Sequence, residues 1–284
     1  MKKKLTISLA VLVTLAGVLI LSLPTILHKA GLHPEYHGPS VALPGKRALI
    51  ITTSHGVLAA PGETEGPATG VMASEFTHPY YTFLDGGMEV DIASIKGGEI
   101  PIDPQTLLFM IKSPEDDRYL NDAIAQAKVK NSIPIDQVDI DQYDIVFISG
   151  GWGAAYDLAQ SPVLAEKVSE SYYGDRAAII GGVCHGVLGL VNARSRDGEL
   201  LIAGRRMTGV TDKQVKELGI EITPLHPETA LREAGVIFES QTAFRDLFAT
   251  HVSVDDEQRF VTGQNQNSGL EAAHRMMLLI AQRS

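Results

Sequence analysis

Short hydrophobic runs recur along the chain and are separated by stretches with a helical pattern of apolar residues. The runs 47–53, 88–95, 143–149 and 177–183 have the length and composition of strands. Helix signals follow the first run, at about residues 74–86. Because strands that alternate with helices build parallel sheets, the pattern predicts an α/β fold with helices on both faces of the sheet.

Elements are also predicted outside these four runs. Residues 199–208 are a further strand candidate, and residues 250–262 are expected to form a short hairpin. Ser268 is expected to cap a final helix that continues through Arg283. Residues 112–142 are less regular, and two interpretations stay open for them: a lid insertion that reaches the carboxyl edge of the sheet, or surface decoration.

The N-terminal segment differs from the rest of the chain. Residues 5–27 contain no charged side chain, and as a helix they would extend about 34 Å, enough to cross a bilayer core of about 30 Å. A cleaved signal peptide is the alternative, but the segment is long for one and no small-residue cleavage site follows it. We therefore predict a transmembrane anchor at 5–27, after a short cytoplasmic tail at 1–4.

The anchor hypothesis also divides the remainder of the chain. Residues 28–44 contain three prolines and are interpreted as a linker, and residues 45–284 form the folded domain. The lysines of the short N-terminal side favour a cytoplasmic N-terminus. The domain is then exported, facing the periplasm or the outside of the cell, or it is secreted if the segment is cleaved.

Composition narrows the class of protein. Charged residues make up 20% and hydrophobic residues 44% of the chain, as in a packed globular protein. The formal net charge is −10, and the N-terminal lysines make the remainder more acidic still. An acidic domain is a poor binder of nucleic acid, so no nucleic-acid partner is expected. The single cysteine excludes a disulfide within the chain.

That cysteine lies in the segment Gly182-Val183-Cys184-His185-Gly186, directly after a strand-like run. A strand that turns sharply into a helix needs small residues around the turn, and it lifts the central side chain to the edge of the sheet. The N-terminus of the following helix favours a thiolate over a thiol. A buried core cysteine would need neither the glycines nor the adjacent histidine, so a nucleophile elbow is the preferred interpretation.

Four segments, in order, resemble the DJ-1/PfpI superfamily, specifically its Hsp31-like, glyoxalase III-like branch. They are TGVMASEFTHPY at 69–80, DIAS with GGEIPIDP within 91–104, DIVFISGGWG at 144–153 and GVCHG at 182–186. The last element alone is shared with class I glutamine amidotransferases. The resemblance implies a flavodoxin-like, doubly wound, mainly parallel sheet with a nucleophile elbow.

The resemblance also implies roles for individual residues. Cys184 is the nucleophile, Glu75 matches the glutamate that approaches the sulfur, and His185 matches the neighbouring histidine. Asp212 stands where Hsp31-like proteins carry their acidic partner, and Glu217 is the nearby competitor for that role. These four catalytic assignments, with Glu217 as the alternative third member, are expectations for the structure to examine.

Backbone groups complete the expected site. The N–H groups of Gly151 and His185 would form an oxyanion hole, because Gly150 and Gly151 permit a close approach of the backbone. Trp152 occupies a variable position of the family and is a candidate to line the pocket. The resemblance implies neither a cofactor nor a metal ion.

Three function classes remain for such a site. The resemblance implies conversion of a small aldehyde, methylglyoxal, to lactate through a Cys184 hemithioacetal. A glutamine amidotransferase-like amide hydrolase is the alternative enzyme, supported superficially by the His-Pro-Glu element at His226. A non-enzymatic stress chaperone or thiol redox sensor is the third class. Homodimerisation is common in the superfamily and is left open for this chain.

Overall fold

The N-terminus of the chain is one long helix. A computed structural model describes the backbone of residues 2–283 and the side chains of residues 12–283. Helix α1 covers Lys2–Lys29, and Met1 and Ser284, the ends of the predicted tail and domain, lie outside the described residues. Among the described residues, α1 is the one helix apolar and long enough to cross a membrane, over Leu12–Lys29. A signal sequence would show the same property.

In the described residues after α1, nine strands follow, and seven of them form a central sheet in the order β3-β2-β1-β4-β5-β9-β8. All neighbours in this sheet are parallel except β8 and β9, which form an antiparallel pair. The strands are β1 (Arg47–Thr52), β2 (Glu89–Ser94), β3 (Ile133–Pro134), β4 (Ile145–Ile148), β5 (Ile179–Val183), β6 (Arg206–Met207), β7 (Ile237–Phe238), β8 (Val252–Val254) and β9 (Phe260–Gly263). This confirms the predicted α/β fold with a mainly parallel sheet.

The five inner strands, β2-β1-β4-β5-β9, have the order 2-1-3-4-5 that is typical of flavodoxin-like folds. Helices cover both faces of the sheet. They are α2 (Ala73–Asp85), α3 (Pro114–Leu120), α4 (Ala123–Lys130), α5 (Ala154–Asp157), α6 (Pro162–Tyr173), α7 (Asp212–Leu218), α8 (Pro227–Glu233) and α9 (Gly269–Arg283). In this topology, ligands bind at the carboxyl edge where the strand order reverses, here between β1 and β4.

The hydrophobic core has two layers, one on each face of the sheet. Along β1, Ala48 and Ile50 point into the layer that contains α2 and α9, whereas Leu49 and Ile51 point into the opposite layer. All four side chains are fully buried. Burial on both faces explains why the predicted strands are continuous hydrophobic runs rather than alternating ones.

The C-terminal predictions hold in part. Strands β8 and β9 form the predicted hairpin, and α9 begins at Gly269, directly after Ser268. The strand candidate 199–208 is wrong over most of its length, because only Arg206–Met207 is a strand, paired with β7 outside the central sheet. Leu201 and Ile202 of that segment are buried within a turn.

Residues 112–142 contribute regular structure to the domain. They form α3, α4 and the edge strand β3, which pairs with β2. Helix α3 begins with a capping box in which Ser113 and Asp116 bind each other's backbone N–H groups. Since no motion is observed, the lid role stays a prediction for this segment.

The predicted linker packs against the domain. Leu32, His33 and Leu43 are buried. The side chain of Asn267 binds the chain just after α1: its Oδ1 accepts from His33 N at 2.8 Å, and its Nδ2 donates to Gly31 O at 2.8 Å. The end of α1 is therefore held against the body of the protein.

The two-layered core predicts where truncation is costly. Phe147, at the centre of β4, is fully buried, so Phe147→Ala should lower the free energy of unfolding by about 3–5 kcal/mol. Phe244 is almost fully exposed, and Phe244→Ala should change it by less than about 0.5 kcal/mol. Urea denaturation of the full chain in detergent micelles measures both. Equal effects would contradict the assignment of Phe147 to the core.

Candidate active site

Cys184 occupies a strained turn at the carboxyl end of β5. Its φ is +57°, a left-handed conformation that residues with a side chain rarely adopt. A seven-residue 3₁₀ helix, Cys184–Leu190, begins at the same residue. A Cβ atom on Gly186 would lie 2.2 Å from the carbonyl oxygen of Ile148, so the turn tolerates only glycine there. This geometry is that of a nucleophile elbow.

Glu75 lies in the first turn of α2 and is completely buried. Its Oε2 accepts a hydrogen bond from Gly150 N at 3.0 Å, and the hydroxyl of Ser149 donates to its backbone carbonyl at 3.0 Å. Oε1 has no hydrogen-bond partner of normal geometry among the described residues. Burial raises the pKa of Glu75 to about 8, and contacts with Cys184 and the Gly150 and Gly151 N–H groups oppose that shift.

The Cys184 thiol is buried beside the Glu75 carboxyl. Burial raises the pKa of Cys184, the negative charge of Glu75 raises it further, and the N–H groups of His185 and Gly151 partly offset these effects. The expectation that the helix N-terminus favours a thiolate is therefore not met. Desolvation of the thiolate outweighs the short helix, and the thiol and the carboxyl titrate as a coupled pair.

His185 lies against the sulfur from the other side. Its Nδ1 is 3.5 Å from Cys184 Sγ, and its ring meets the Trp152 ring edge to face with 5.0 Å between centroids. Burial lowers the pKa of His185 to about 3, with a smaller effect from the charge of His226. The imidazole is therefore neutral at pH 7, and its Nε2 has no partner among the described groups.

The two candidates for the third catalytic residue bind elsewhere in the structure. Asp212 Oδ2 accepts from Thr229 Oγ1 at 2.8 Å, and Glu217 Oε2 accepts from Asp246 N at 2.9 Å. Neither carboxylate hydrogen-bonds to His185 in the part of the chain that the structure describes. The structure thus brings Cys184, His185 and Glu75 together, and the role of Asp212 stays a prediction.

His226 is the residue near the site whose position the sequence did not indicate. It precedes α8, and its charge lowers the pKa of His185, which places the two rings close together. Its Nε2 has no partner among the described residues. The sequence shows the His-Pro-Glu element, but it contains no signal that α8 packs beside the elbow.

The predicted oxyanion-hole donors surround the sulfur. The N–H groups of Gly151 and His185 both contact Cys184. Gly151 has a φ of +91°, and a Cβ atom on it would lie 2.3 Å from Met72 N. Only glycine lets this backbone approach so closely, and its donor is therefore preorganised for an oxygen that becomes negative next to the sulfur.

A cavity of about 300 Å³ lies over the cysteine. Its wall is mostly apolar. It contains residues that the sequence predicted for the site and others that the sequence motifs did not indicate. The lining residues are Met72, Glu75, Asp103, Gln105, Thr106, Leu108, Met110, Ile111, Gly151, Trp152, Cys184, His185, Gln214, Leu218, Leu247 and Gln266. Among the described residues, no group of three or more His, Cys, Asp or Glu side chains could hold a metal ion.

Comparison with known proteins matches most of the chain. A sequence model of the DJ-1/PfpI family matches residues 67–268. Glyoxalase 3 of Candida albicans is 27% identical over 221 residues, which cover 74% of this chain and 89% of that protein. The glutathione-independent glyoxalase HSP31 of Saccharomyces cerevisiae is 30% identical over 186 residues, which cover 62% of this chain and 73% of that protein.

The fold is also similar to solved structures. The Rapid Encystment Protein 24 kDa of Francisella tularensis superposes with a TM-score of 0.74 at 31% identity, covering 83% of this chain and 99% of that one. The family match contains the strands from β2 to β9 and the elbow, whereas β1 and the whole of α1 precede it.

The raised pKa of Glu75 predicts a pH-dependent stability. The folded-state pKa of about 8 exceeds the ordinary 4.5, so the contribution of Glu75 to stability is fully present below pH 4.5 and is lost as the pH rises through about 8. We compare the Cys184→Ser variant with the Cys184→Ser/Glu75→Gln variant. Relative to the double variant, the single variant should lose roughly a few kcal/mol of its free energy of unfolding as the pH rises from 4.5 to about 8. Urea denaturation at each pH measures this difference.

The serine background removes the thiol, so that Glu75 is the titrating member of the pair. Glu89→Gln is the matched control, because it removes the same kind of side chain from an exposed position on β2. A difference for Glu75→Gln that does not depend on pH would contradict the assignment of a protonated carboxyl at neutral pH.

Proposed function

Because the chain belongs to the DJ-1/PfpI family, we propose that it is a glutathione-independent glyoxalase that converts 2-oxoaldehydes such as methylglyoxal to 2-hydroxy acids such as lactate. The observation that carries the proposal is the buried pair of Cys184 and Glu75. Burial raises the pKa of Glu75 to about 8. A carboxyl with a pKa near the working pH is an efficient general acid and base.

The pair is reactive after it has lost one proton, with the other proton held between sulfur and carboxyl. The thiolate sulfur of Cys184 adds to the aldehyde carbon of methylglyoxal, and the Glu75 carboxyl protonates the resulting oxygen. The product is a hemithioacetal, and Glu75 is left as a carboxylate. The N–H groups of Gly151 and His185 stabilise the oxygen while it is negative.

Glu75 then moves hydrogen between the two substrate carbons. Its carboxylate removes the proton from the former aldehyde carbon and returns it to the neighbouring ketone carbon, while the hydroxyl proton passes to the ketone oxygen. The first carbon becomes a thioester carbonyl, and the second becomes an alcohol. Water attacks the thioester, releases lactate and restores the thiol, so the net reaction adds one water and needs no external oxidant or reductant.

His185 has a different role in this scheme. A neutral imidazole whose pKa is lowered to about 3 is a poor base at pH 7. It lies 3.5 Å from the sulfur and packs against Trp152, so it orients the thiol. Glu75, rather than His185, is therefore the proposed proton carrier.

The glutamine amidotransferase-like alternative rests on His226. An amidotransferase would use that imidazole as its base, and the structure places the ring near His185. However, the side-chain nitrogen that contacts the Cys184 sulfur belongs to His185. The position of His226 supports an influence on His185 and does not by itself support amide hydrolysis.

We also propose that α1 is a single-pass anchor, with the N-terminus in the cytoplasm and the catalytic domain exported. The apolar stretch Leu12–Lys29 is not buried by the protein. Exposed leucines and valines along three helical turns are costly in water but are favourable in lipid. Secretion after cleavage of this segment is the alternative.

Single substitutions should distinguish the role of Cys184 from the role of Glu75. In the full chain, Cys184→Ser should abolish lactate formation from methylglyoxal, because the alcohol is far less nucleophilic than the thiolate. Glu75→Gln should lower kcat by about 10²–10⁴-fold, because the amide carries no proton between the carbons. Enzymatic detection of lactate measures both, and Glu89→Gln is the charge-matched control. Near-normal turnover by Glu75→Gln would exclude it as the proton carrier.

His226→Ala distinguishes the two enzyme classes within the same assay. A glyoxalase that uses Glu75 should retain its rate on methylglyoxal within a few-fold of the parent. Ammonia release from glutamine that disappears in His226→Ala would instead support the amide hydrolase.

The anchor predicts a defined membrane topology. The full chain should sediment with membranes, resist carbonate extraction and retain its N-terminal mass, and protease should reach the domain only from the exported face. Leu15→Arg/Leu19→Arg should release it, since a charge within the bilayer costs about 2.5–3.5 kcal/mol per residue. A soluble chain that begins near Ala30 would show cleavage, and digestion from the cytoplasmic face would reverse the orientation.

A further inference from the structure

Four exposed apolar side chains lie at the catalytic cavity or next to segments that line it. Leu108 and Leu218 line the cavity and yet are 50% and 36% exposed, and Phe109, adjacent to Leu108, is 46% exposed. Phe244 is 98% exposed. We call Leu108, Phe109, Leu218 and Phe244 the mouth rim.

Hydrogen bonds hold Phe244 at this mouth. The residue after it, Arg245, donates from Nη1 to Glu217 O at 3.5 Å, and Asp246 N donates to Glu217 Oε2 at 2.9 Å. Glu217 precedes Leu218, which lines the cavity. The segment that carries Phe244 is thus bound to the end of α7, and the phenyl ring projects from it into solvent.

The end of α1 is bound to the outside of the same cavity wall. His33 Nε2 donates to the carbonyl of Ile111 at 2.7 Å, and Asn267, which binds Gly31 and His33, also donates to the carbonyl of Leu247 at 2.8 Å. Ile111 and Leu247 both line the cavity. From the end of α1 at Lys29 to Gly31 is two residues, which span at most about 7 Å.

This distance limits how far the cavity wall can lie from a bilayer. If α1 crosses the membrane as proposed above, its last turn leaves the hydrocarbon close to the cavity wall. The headgroup layer on each side of a bilayer is several ångströms thick. A mouth rim at the level of the membrane surface would place phenyl rings and leucines where they insert favourably.

We propose that the mouth rim docks on the surface of the bilayer that α1 enters, and that the cavity takes alkyl 2-oxoaldehydes from the lipid. The walls contributed by Met72, Met110, Ile111 and Leu247 suit an alkyl chain, and about 300 Å³ exceeds what methylglyoxal needs. Since the contact is apolar, it does not require anionic lipid, in keeping with the acidic net charge of −10. The inference rests on the proposed anchor and on the proposed glyoxalase activity.

Fluorescence quenching tests the docking directly. The full chain carrying Phe244→Trp is reconstituted in liposomes of phosphatidylcholine brominated near the headgroup end of its acyl chains. We expect the added tryptophan fluorescence to fall by about half or more relative to unbrominated liposomes, because that residue lies at the depth of the bromine atoms. Ile124→Trp is the control, since Ile124 is 71% exposed at the start of α4, away from the cavity. Equal quenching, or none, in both variants would overturn the docking.

Kinetics in the same liposomes test the source of the substrate. Phe109→Ser/Phe244→Ser should lower kcat/KM for 2-oxododecanal about tenfold, through loss of the apolar contact with lipid, and should leave methylglyoxal turnover within about twofold. Ile124→Ser should change neither rate. Equal rates on 2-oxododecanal with and without the rim substitutions would overturn the lipid route.

The two experiments separate this inference from the proposed function. Quenching of Phe244→Trp in a chain that converts no 2-oxoaldehyde would retain the membrane contact and refute the glyoxalase. Turnover of methylglyoxal without quenching would retain the glyoxalase and refute the docking.

Discussion

The close contact between the turn at Cys184 and the end of β4 is the constraint on which the site depends. The backbone after the cysteine passes so near the carbonyl of Ile148 that a side chain on Gly186 would collide with it. The cysteine itself is forced into a left-handed conformation. The adjacent parallel strands β4 and β5 must therefore hold their register for the sulfur to reach the carboxyl edge. The rest of the sheet stabilises the strained conformation of the turn.

Desolvation controls the chemistry of this site more than any single charge does. It raises the pKa of both Glu75 and Cys184 and lowers that of His185 to about 3. The N–H groups of Gly151 and His185 partly offset this effect at the sulfur. In the proposed mechanism, the proton therefore moves through Glu75 rather than through a histidine whose pKa is lowered by burial.

The N-terminal helix and the catalytic cavity form one structural unit. Asn267 binds the chain just after α1 with one end of its amide and also reaches the carbonyl of Leu247, whose side chain lines the cavity. The segment predicted as a linker is packed on the domain through Leu32, His33 and Leu43. If α1 spans a membrane as proposed, this attachment orients the cavity as well as retaining the protein.

The sequence by itself determined the local features: the strand runs and the elbow that places His185 next to Cys184. Each depends on residue type within a few positions, such as glycine where the backbone must approach closely. The position of Glu75 and Gly151 beside the sulfur was implied by the resemblance to the DJ-1/PfpI superfamily. Only the tertiary structure decided the long-range ones. It engages Asp212 with Thr229 rather than with His185, brings His226 beside the elbow, and turns the apolar segment before Met207 into buried turns. These outcomes follow from how helices and loops pack across the sheet, where burial and hydrogen bonding between distant residues outweigh local preference.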